Sequence, residues 1–270
     1  MKDTIPSRRR VLALAAALPV AAASVGCAST QYSTPSSTFV LVPGAWHGGW
    51  CYRRVGDLLR RQGHHVYTPS LTGVGEKSHL LSRNVGLQTH VDDVVNLVKW
   101  EDLRDIVLVG HSYGGMVITG AAEVLEPRIK SIVYLDAFVP EVGQSMLDIA
   151  GAVSRARIEA QALRTQGLSL DPIPARIFKV NEADQKWVDE KMTPHPFATF
   201  RDPAGSASAY QRIRRKFYVR ATRYASEPFD QFAGKLRSRS DWSVRFLDAG
   251  HDLMIDRPAD VAALLLEAAG

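Results

Sequence analysis

The sequence predicts an α/β fold: a mostly parallel central sheet, helices on both faces and a small inserted helical cap. Three observations carry this. Short apolar runs alternate with amphipathic helical stripes, the pattern of strands crossed over by helices. The runs lack polar alternation, as expected of parallel strands buried on both faces. The alternation breaks once, between residues 141 and 215, where prolines 172, 174, 194 and 196 interrupt helical stretches and a cap is expected.

The elements follow in order. Phe39-Val40-Leu41-Val42 is a buried strand stopped by Pro43-Gly44. Residues 50–62 form a helix with Val55, Leu58 and Leu59 on one face and Gly63 as its stop. His65-Val66-Tyr67 is a weaker strand before Pro69. Val91, Val94, Val95 and Val98 lie at i, i+3, i+4 and i+7, a helical stripe. Ile106 to Val109 is the strongest buried strand, and Met116 to Leu125 the helix after it. Strands at 132–135, 217–219 and 244–247 follow, and Val261, Leu264, Leu265 and Ala268 close the chain as a helix. The core is therefore expected in 39–140 and 216–270, with 141–215 as the cap. Arg212, Arg214, Arg215 and Lys216 read as a solvated helix face.

The 270 residues are 46% hydrophobic and 23% charged, which excludes a disordered chain or a polytopic membrane protein. The formal charge is +5. Lys2, Arg8, Arg9 and Arg10 stand against Asp3 alone in the first 27 residues, so much of the excess is N-terminal and no nucleic-acid partner is expected. That N-terminus reads as an export signal. A basic start is followed by the 13 residues from Val11 to Ala23, too short to span a bilayer. Ser7-Arg8-Arg9-Arg10-Val11-Leu12 resembles the twin-arginine motif. Gly26-Cys27 resembles the end of a bacterial lipobox, with Ser24 as a departure. A periplasmic or membrane-anchored location is expected, anchored through a lipidated Cys27. Residues 28–38 are a Ser/Thr-rich linker. That leaves Cys51 alone in the body, with no intramolecular disulfide possible. Monomer and homodimer remain open.

Gly110-His111-Ser112-Tyr113-Gly114 follows the best strand and opens a helix. Such a turn pushes the serine into a cleft, and the glycines remove side chains that would clash. A serine hydroxyl needs a base. Of eight histidines, His251 lies just after the last strand, at the sheet edge that Ser112 occupies. His111 would point away across the turn. His47 follows the first strand and is expected to line the pocket, while His64, His65, His79, His90 and His195 read as surface or structural residues. The base needs a carboxylate, expected between serine and histidine in chain order. The end of the 217–221 strand carries none. Asp136, one strand beyond the serine, is the first choice, and Asp230 or Glu227 remain alternatives. An oxyanion needs two backbone N–H groups: Tyr113 is one candidate and Ala45 the other, with Gly44 letting the backbone approach the substrate. Trp46, His47 and Trp50 would form aromatic walls, although helix packing is the plainer role for Trp50.

FVLVPGAWHGGWCY, LTGVGEKSHL, LVGHSYGGM, YLDAFVP and DAGHDLMIDRP together resemble α/β-hydrolases of the plant methylesterase and hydroxynitrile lyase group, and their bacterial esterase relatives, over residues 39–270. The resemblance implies an α/β-hydrolase fold with six or more strands, a small cap, and neither cofactor nor metal. It carries over Ser112 as nucleophile, His251 as base, and Ala45 and Tyr113 as oxyanion donors. The plant members place an aspartate near Tyr224. Asp136 stands where haloalkane dehalogenases place their acid, although their chemistry needs Asp at position 112. The lyases use Thr where Gly44 stands and Lys where Asp252 stands. The expected activity is a serine carboxylesterase acting on small to medium esters through an acyl-enzyme. A C–C lyase, or a ligand-binding protein on a hydrolase fold, are the alternatives.

Overall fold

The computed structural model describes residues 36–270. The export-signal and lipobox readings, and most of the linker, lie outside the described residues.

Six strands form one sheet: β1 (Thr38–Val42), β2 (His65–Tyr67), β3 (Ile106–His111), β4 (Ile129–Leu135), β7 (Arg215–Ala221) and β8 (Trp242–Leu247), in the order β2-β1-β3-β4-β7-β8. Every pairing is parallel. All of β3 is buried, as is β1 from Phe39 onward, while the edge strands β2 and β8 are half-exposed. The central strands therefore read as unbroken apolar runs because both of their faces are covered.

Crossover helices α1 (Arg53–Arg61), α2 (Leu87–Trp100), α3 (Gly114–Leu125) and α8 (Glu227–Arg237) supply those covers, together with α10 (Pro258–Ala269), which follows the last strand after the short α9 (Leu253–Asp256). The expected stripe of α2 is buried, and Leu87 and His90 extend it by one turn. Pro258 opens α10 at a position where its missing N–H has no intrahelical partner to lose. The free Cys51 is buried.

The segment between β4 and β7 holds α4 (Met146–Ile149), α5 (Ala152–Arg164), α6 (Glu182–Lys191) and α7 (Ala198–Arg201). It also contains an antiparallel ribbon, β5 (Ser169–Leu170) with β6 (His195–Pro196), which the sequence pattern does not announce. The basic run is not a helix face. Arg215 and Lys216 begin β7, Arg212 pairs with Glu126, and buried Lys216 donates to the carbonyls of Gln211 and Ile213. Among the described residues, no helix is long and apolar enough to cross a membrane.

The strand order reverses between β1 and β3. The loops leaving their C-terminal ends straddle that switch point, where open α/β sheets bind ligands.

Candidate active site

Ser112 sits at the end of β3 with φ +51°, a left-handed conformation for a non-glycine residue. Such a backbone costs about 1–3 kcal/mol and persists where the surroundings fix it. Here they do. The Ser112 N–H donates to Leu135 O at 3.2 Å, and its carbonyl accepts from Gly115 N (3.0 Å) and Phe138 N (3.1 Å). The two glycines of the motif permit the sharp turn. A Cβ on Gly110 would lie 2.7 Å from Gly114 O, and one on Gly114 would lie 2.7 Å from Pro43 O.

The structure brings Ser112, His251 and Asp136 together. His251 Nε2 lies 2.9 Å from Ser112 Oγ, and His251 Nδ1 lies 2.7 Å from Asp136 Oδ2. His251 is carried by the loop after β8. Its N–H donates to Phe178 O at 2.8 Å, and Gly250 lets that loop press on the cap, since a Cβ there would meet Lys179 O at 2.2 Å. Asp136 ends β4 with φ +44° and is fully buried. Its N–H donates to Val219 O at 2.7 Å, which aims the carboxylate along the sheet edge. An ionised carboxylate only accepts, so Nδ1 carries the proton and Nε2 is free to accept from the serine hydroxyl.

Sequence reasoning missed Arg220. It stands at the end of β7, the strand that lacks the usual acid, and its guanidinium is buried. Nη1 donates to Asp136 Oδ1 at 2.8 Å, Nε to Asp230 Oδ1 at 2.8 Å and Nη2 to Tyr224 O at 2.7 Å. The Ala221 N–H also donates to Asp136 Oδ1, at 3.0 Å. Asp136 thus faces two donors with one oxygen and His251 with the other. Of the alternatives, Asp230 is an exposed partner of Arg220, and Glu227 accepts from Gln231. Tyr224, where the plant group has an aspartate, lies with its ring 4.7 Å from that of His251. Phe229 stacks on His251 at 5.3 Å and 14°, with its ring 6.4 Å from that of Tyr224.

The Ala45 and Tyr113 N–H groups have no acceptor among the described residues. Gly44 lies against the elbow itself: a Cβ there would sit 2.8 Å from His111 Nδ1 and 2.9 Å from Ser112 Cβ. Its small size thus serves loop-to-elbow contact as well as any approach of substrate. Trp46 is a junction with the cap. It has φ +65°, its N–H donates to His195 Nδ1 (3.3 Å), and its indole N–H donates to Leu170 O (3.1 Å).

Four other histidines crowd the site. His111 does not contact the serine hydroxyl; its Nε2 donates to His251 O at 2.9 Å, beneath the His251 ring. Burial above all holds it neutral, against an opposing pull from Asp252. His47 is buried instead of lining an open pocket. Its Nδ1 lies 2.8 Å from Ala45 O and its Nε2 3.2 Å from Asp252 Oδ2. His90 and His195 are buried around Tyr113. His90 Nε2 donates to Thr72 O, so Nδ1 accepts from the Tyr113 hydroxyl at 3.0 Å. Burial pushes its pKa down to about 4. A signal for His90 was available, because it continues the Leu87, Val91, Val94 stripe of α2. Among the described residues, no group of three or more His, Cys, Asp or Glu side chains could hold a metal ion.

Residues 39–264 match the alpha/beta hydrolase family, and the chain belongs to it. It sits among the esterases of that family. It is 41% identical over 237 residues to the carbendazim hydrolyzing esterase of Nocardioides sp. (strain SG-4G), covering 85% of this chain and 98% of that protein. It is 26% identical over 247 residues to putative methylesterase 11, chloroplastic, of Arabidopsis thaliana, covering 86% of this chain and 63% of that one. Among solved structures it resembles an extracellular alpha/beta-hydrolase from a Paenibacillus species, described as sharing structural and functional homology with tobacco salicylic acid binding protein 2. The TM-score is 0.74 and the identity 27%, over 86% of this chain and 98% of that one.

Proposed function

We propose that the protein is a serine carboxylesterase that cleaves small to medium esters through an acyl-enzyme on Ser112. One observation carries the reading: a single buried imidazole bridges the serine hydroxyl at 2.9 Å and a buried carboxylate at 2.7 Å. His251 takes the hydroxyl proton as Ser112 Oγ attacks the ester carbonyl. Asp136 holds the tautomer and stabilises the imidazolium. The carbonyl oxygen becomes an oxyanion held by the Ala45 and Tyr113 N–H groups. His251 then protonates the leaving alcohol, and a water activated by the same nitrogen frees the acid. Arg220 touches no reacting atom; it is a positioning residue for Asp136.

The small-to-medium range rests on the resemblance to the methylesterase group; Ser112 itself is 8% exposed. The similarity to the carbendazim hydrolyzing esterase supports including carbendazim in the range. The lyase alternative gains nothing from the site, since an acid, Asp252, follows His251. A panel of p-nitrophenyl and methyl esters, together with carbendazim, tests the reading on purified protein. Short p-nitrophenyl esters are expected to turn over with kcat in the ordinary enzyme range of roughly 1–10³ s⁻¹. A pure, folded sample inert towards every ester contradicts it.

Export belongs to the same proposal and is supported by Ser7 to Ala23 and Gly26-Cys27. Full-length protein made in a bacterial host is expected to leave the cytoplasm after processing near Cys27, and Arg8→Lys with Arg9→Lys is expected to block this. Cys27→Ala should release a membrane-bound form, because each buried acyl CH₂ contributes about 0.8 kcal/mol of anchoring. Unprocessed protein confined to the cytosol contradicts the export reading, and unchanged membrane binding of Cys27→Ala contradicts lipidation.

A further inference from the structure

We propose that His47 is a doubly protonated positioning residue which, with Asp252, ties the Ala45 turn to the loop that carries His251. The inference rests on the esterase reading, because Ala45 matters to it as an oxyanion donor.

The proton placement follows from the partners. Ala45 O can only accept, and it lies 2.8 Å from Nδ1, so Nδ1 bears a proton. Nε2 lies 3.2 Å from Asp252 Oδ2. An ionised Asp252 also only accepts, so Nε2 bears a second proton and the pair is an imidazolium and a carboxylate. Both side chains are buried, His47 at 1% exposure and Asp252 at 0%. A buried charge persists only when it is paired and hydrogen-bonded.

The surroundings leave Asp252 as the charge His47 sees. His111 is kept neutral mainly by burial, and so is His195. Burial, reinforced by the Asp252 charge, keeps the Cys51 thiol and the Tyr52 hydroxyl protonated. His251 directs its ring nitrogens to Asp136 and Ser112 instead. Trp50, stacked at 5.2 Å, and Phe178, at 6.4 Å, close the remaining faces and do not titrate. Burial works against the His47 charge, but the Asp252 charge, its hydrogen bond and the bond to Ala45 O outweigh it, so the imidazolium outlasts that of a free histidine as pH rises. Asp252 in turn is held well below the ordinary carboxylate range: burial opposes this, and the His47 charge and hydrogen bond overcome it.

The pair joins two functional loops. Asp252 directly follows His251, and the carbonyl that His47 holds belongs to the residue whose N–H faces the oxyanion. Trp46, next in the chain, is in the left-handed region and is pinned by His195. Ala45 is therefore held from both sides. The effect on rate has a definite sign. His47 has a raised pKa in the folded protein, so its support is complete below the ordinary histidine value. Support is lost as pH climbs through the raised value. A neutral His47 has one proton for two acceptors, and the Ala45 turn or the Asp252 link is released. Misplacing a catalytic donor by about 1 Å costs up to about 100-fold in rate.

Two measurements test this. Nitrogen-detected NMR of histidine-labelled wild-type protein, with the signal assigned by its absence in His47→Gln, is expected to show both His47 ring nitrogens protonated at about pH 7.5, where a free histidine is mostly neutral. The kcat–pH profile of Asp252→Asn is expected to lose its alkaline side at lower pH than wild type, with KM changed less than about twofold, because the loss falls on transition-state stabilisation. A singly protonated His47 at that pH overturns the inference, and so does an alkaline limb that Asp252→Asn leaves in place. The NMR measurement uses no substrate. An active Ser112→Ala would defeat the esterase reading while leaving the His47 result standing, so the two failures are distinguishable.

Discussion

Ser112→Ala lowers kcat for ester hydrolysis by about 10⁴-fold or more. The hydroxyl is the one group aimed at the free Nε2 of His251, and its loss removes the covalent route altogether. The Ala45 and Tyr113 donors remain and can still polarise a bound carbonyl, which sets a residual rate above that in water. The fold should survive. The serine side chain has His251 as its hydrogen-bond partner, and alanine meets the same left-handed backbone that serine already tolerates at φ +51°. Steady-state kinetics and a thermal melt of the same sample check both halves. Retention of more than about a tenth of the activity contradicts the mechanism.

Asp136→Asn is expected to cost up to about 10⁴-fold in kcat with little change in KM. The structure gives a specific reason. Arg220 Nη1 and the Ala221 N–H both donate to Oδ1. An asparagine must keep its carbonyl oxygen there, so its NH₂ group is turned to His251 Nδ1. That nitrogen can then only accept, the ring proton moves to Nε2, and the base is blocked from the serine. Asp230→Asn provides the control. Its carboxylate is 65% exposed, and Arg220 keeps three other acceptors without it, so an effect of only a few-fold is expected, in line with the small contribution of exposed ion pairs. Equal losses in the two variants would contradict the assignment of Asp136.

Much of this site was legible because local chemistry carries it. A fully buried strand followed by G-x-S-x-G has few structural readings, and His251 after the last strand lies on the same sheet edge by topology alone. Asp136 was reached because the 217–221 strand ends without an acid while its neighbour ends with one. Arg220 was not legible. Its partner Asp136 is 84 positions away, and an arginine near the end of a strand carries no signal of which residue it will meet. His47 was expected to line the pocket and is instead enclosed, because Asp252, following the catalytic histidine, supplies a buried anion that only tertiary packing brings to it. For a similar reason the reading of His195 stayed between surface and structural. The ribbon that buries it has two residues per strand, below the length at which alternation is detectable.

The central claim is that Ser112 is the nucleophile of an esterase. Labelling the folded protein with a fluorophosphonate and mapping the adduct by peptide mass tests it most directly. The account predicts one adduct, on the peptide containing Ser112, formed in step with loss of esterase activity. An adduct on any other residue, or full inactivation with Ser112 unmodified, would contradict it.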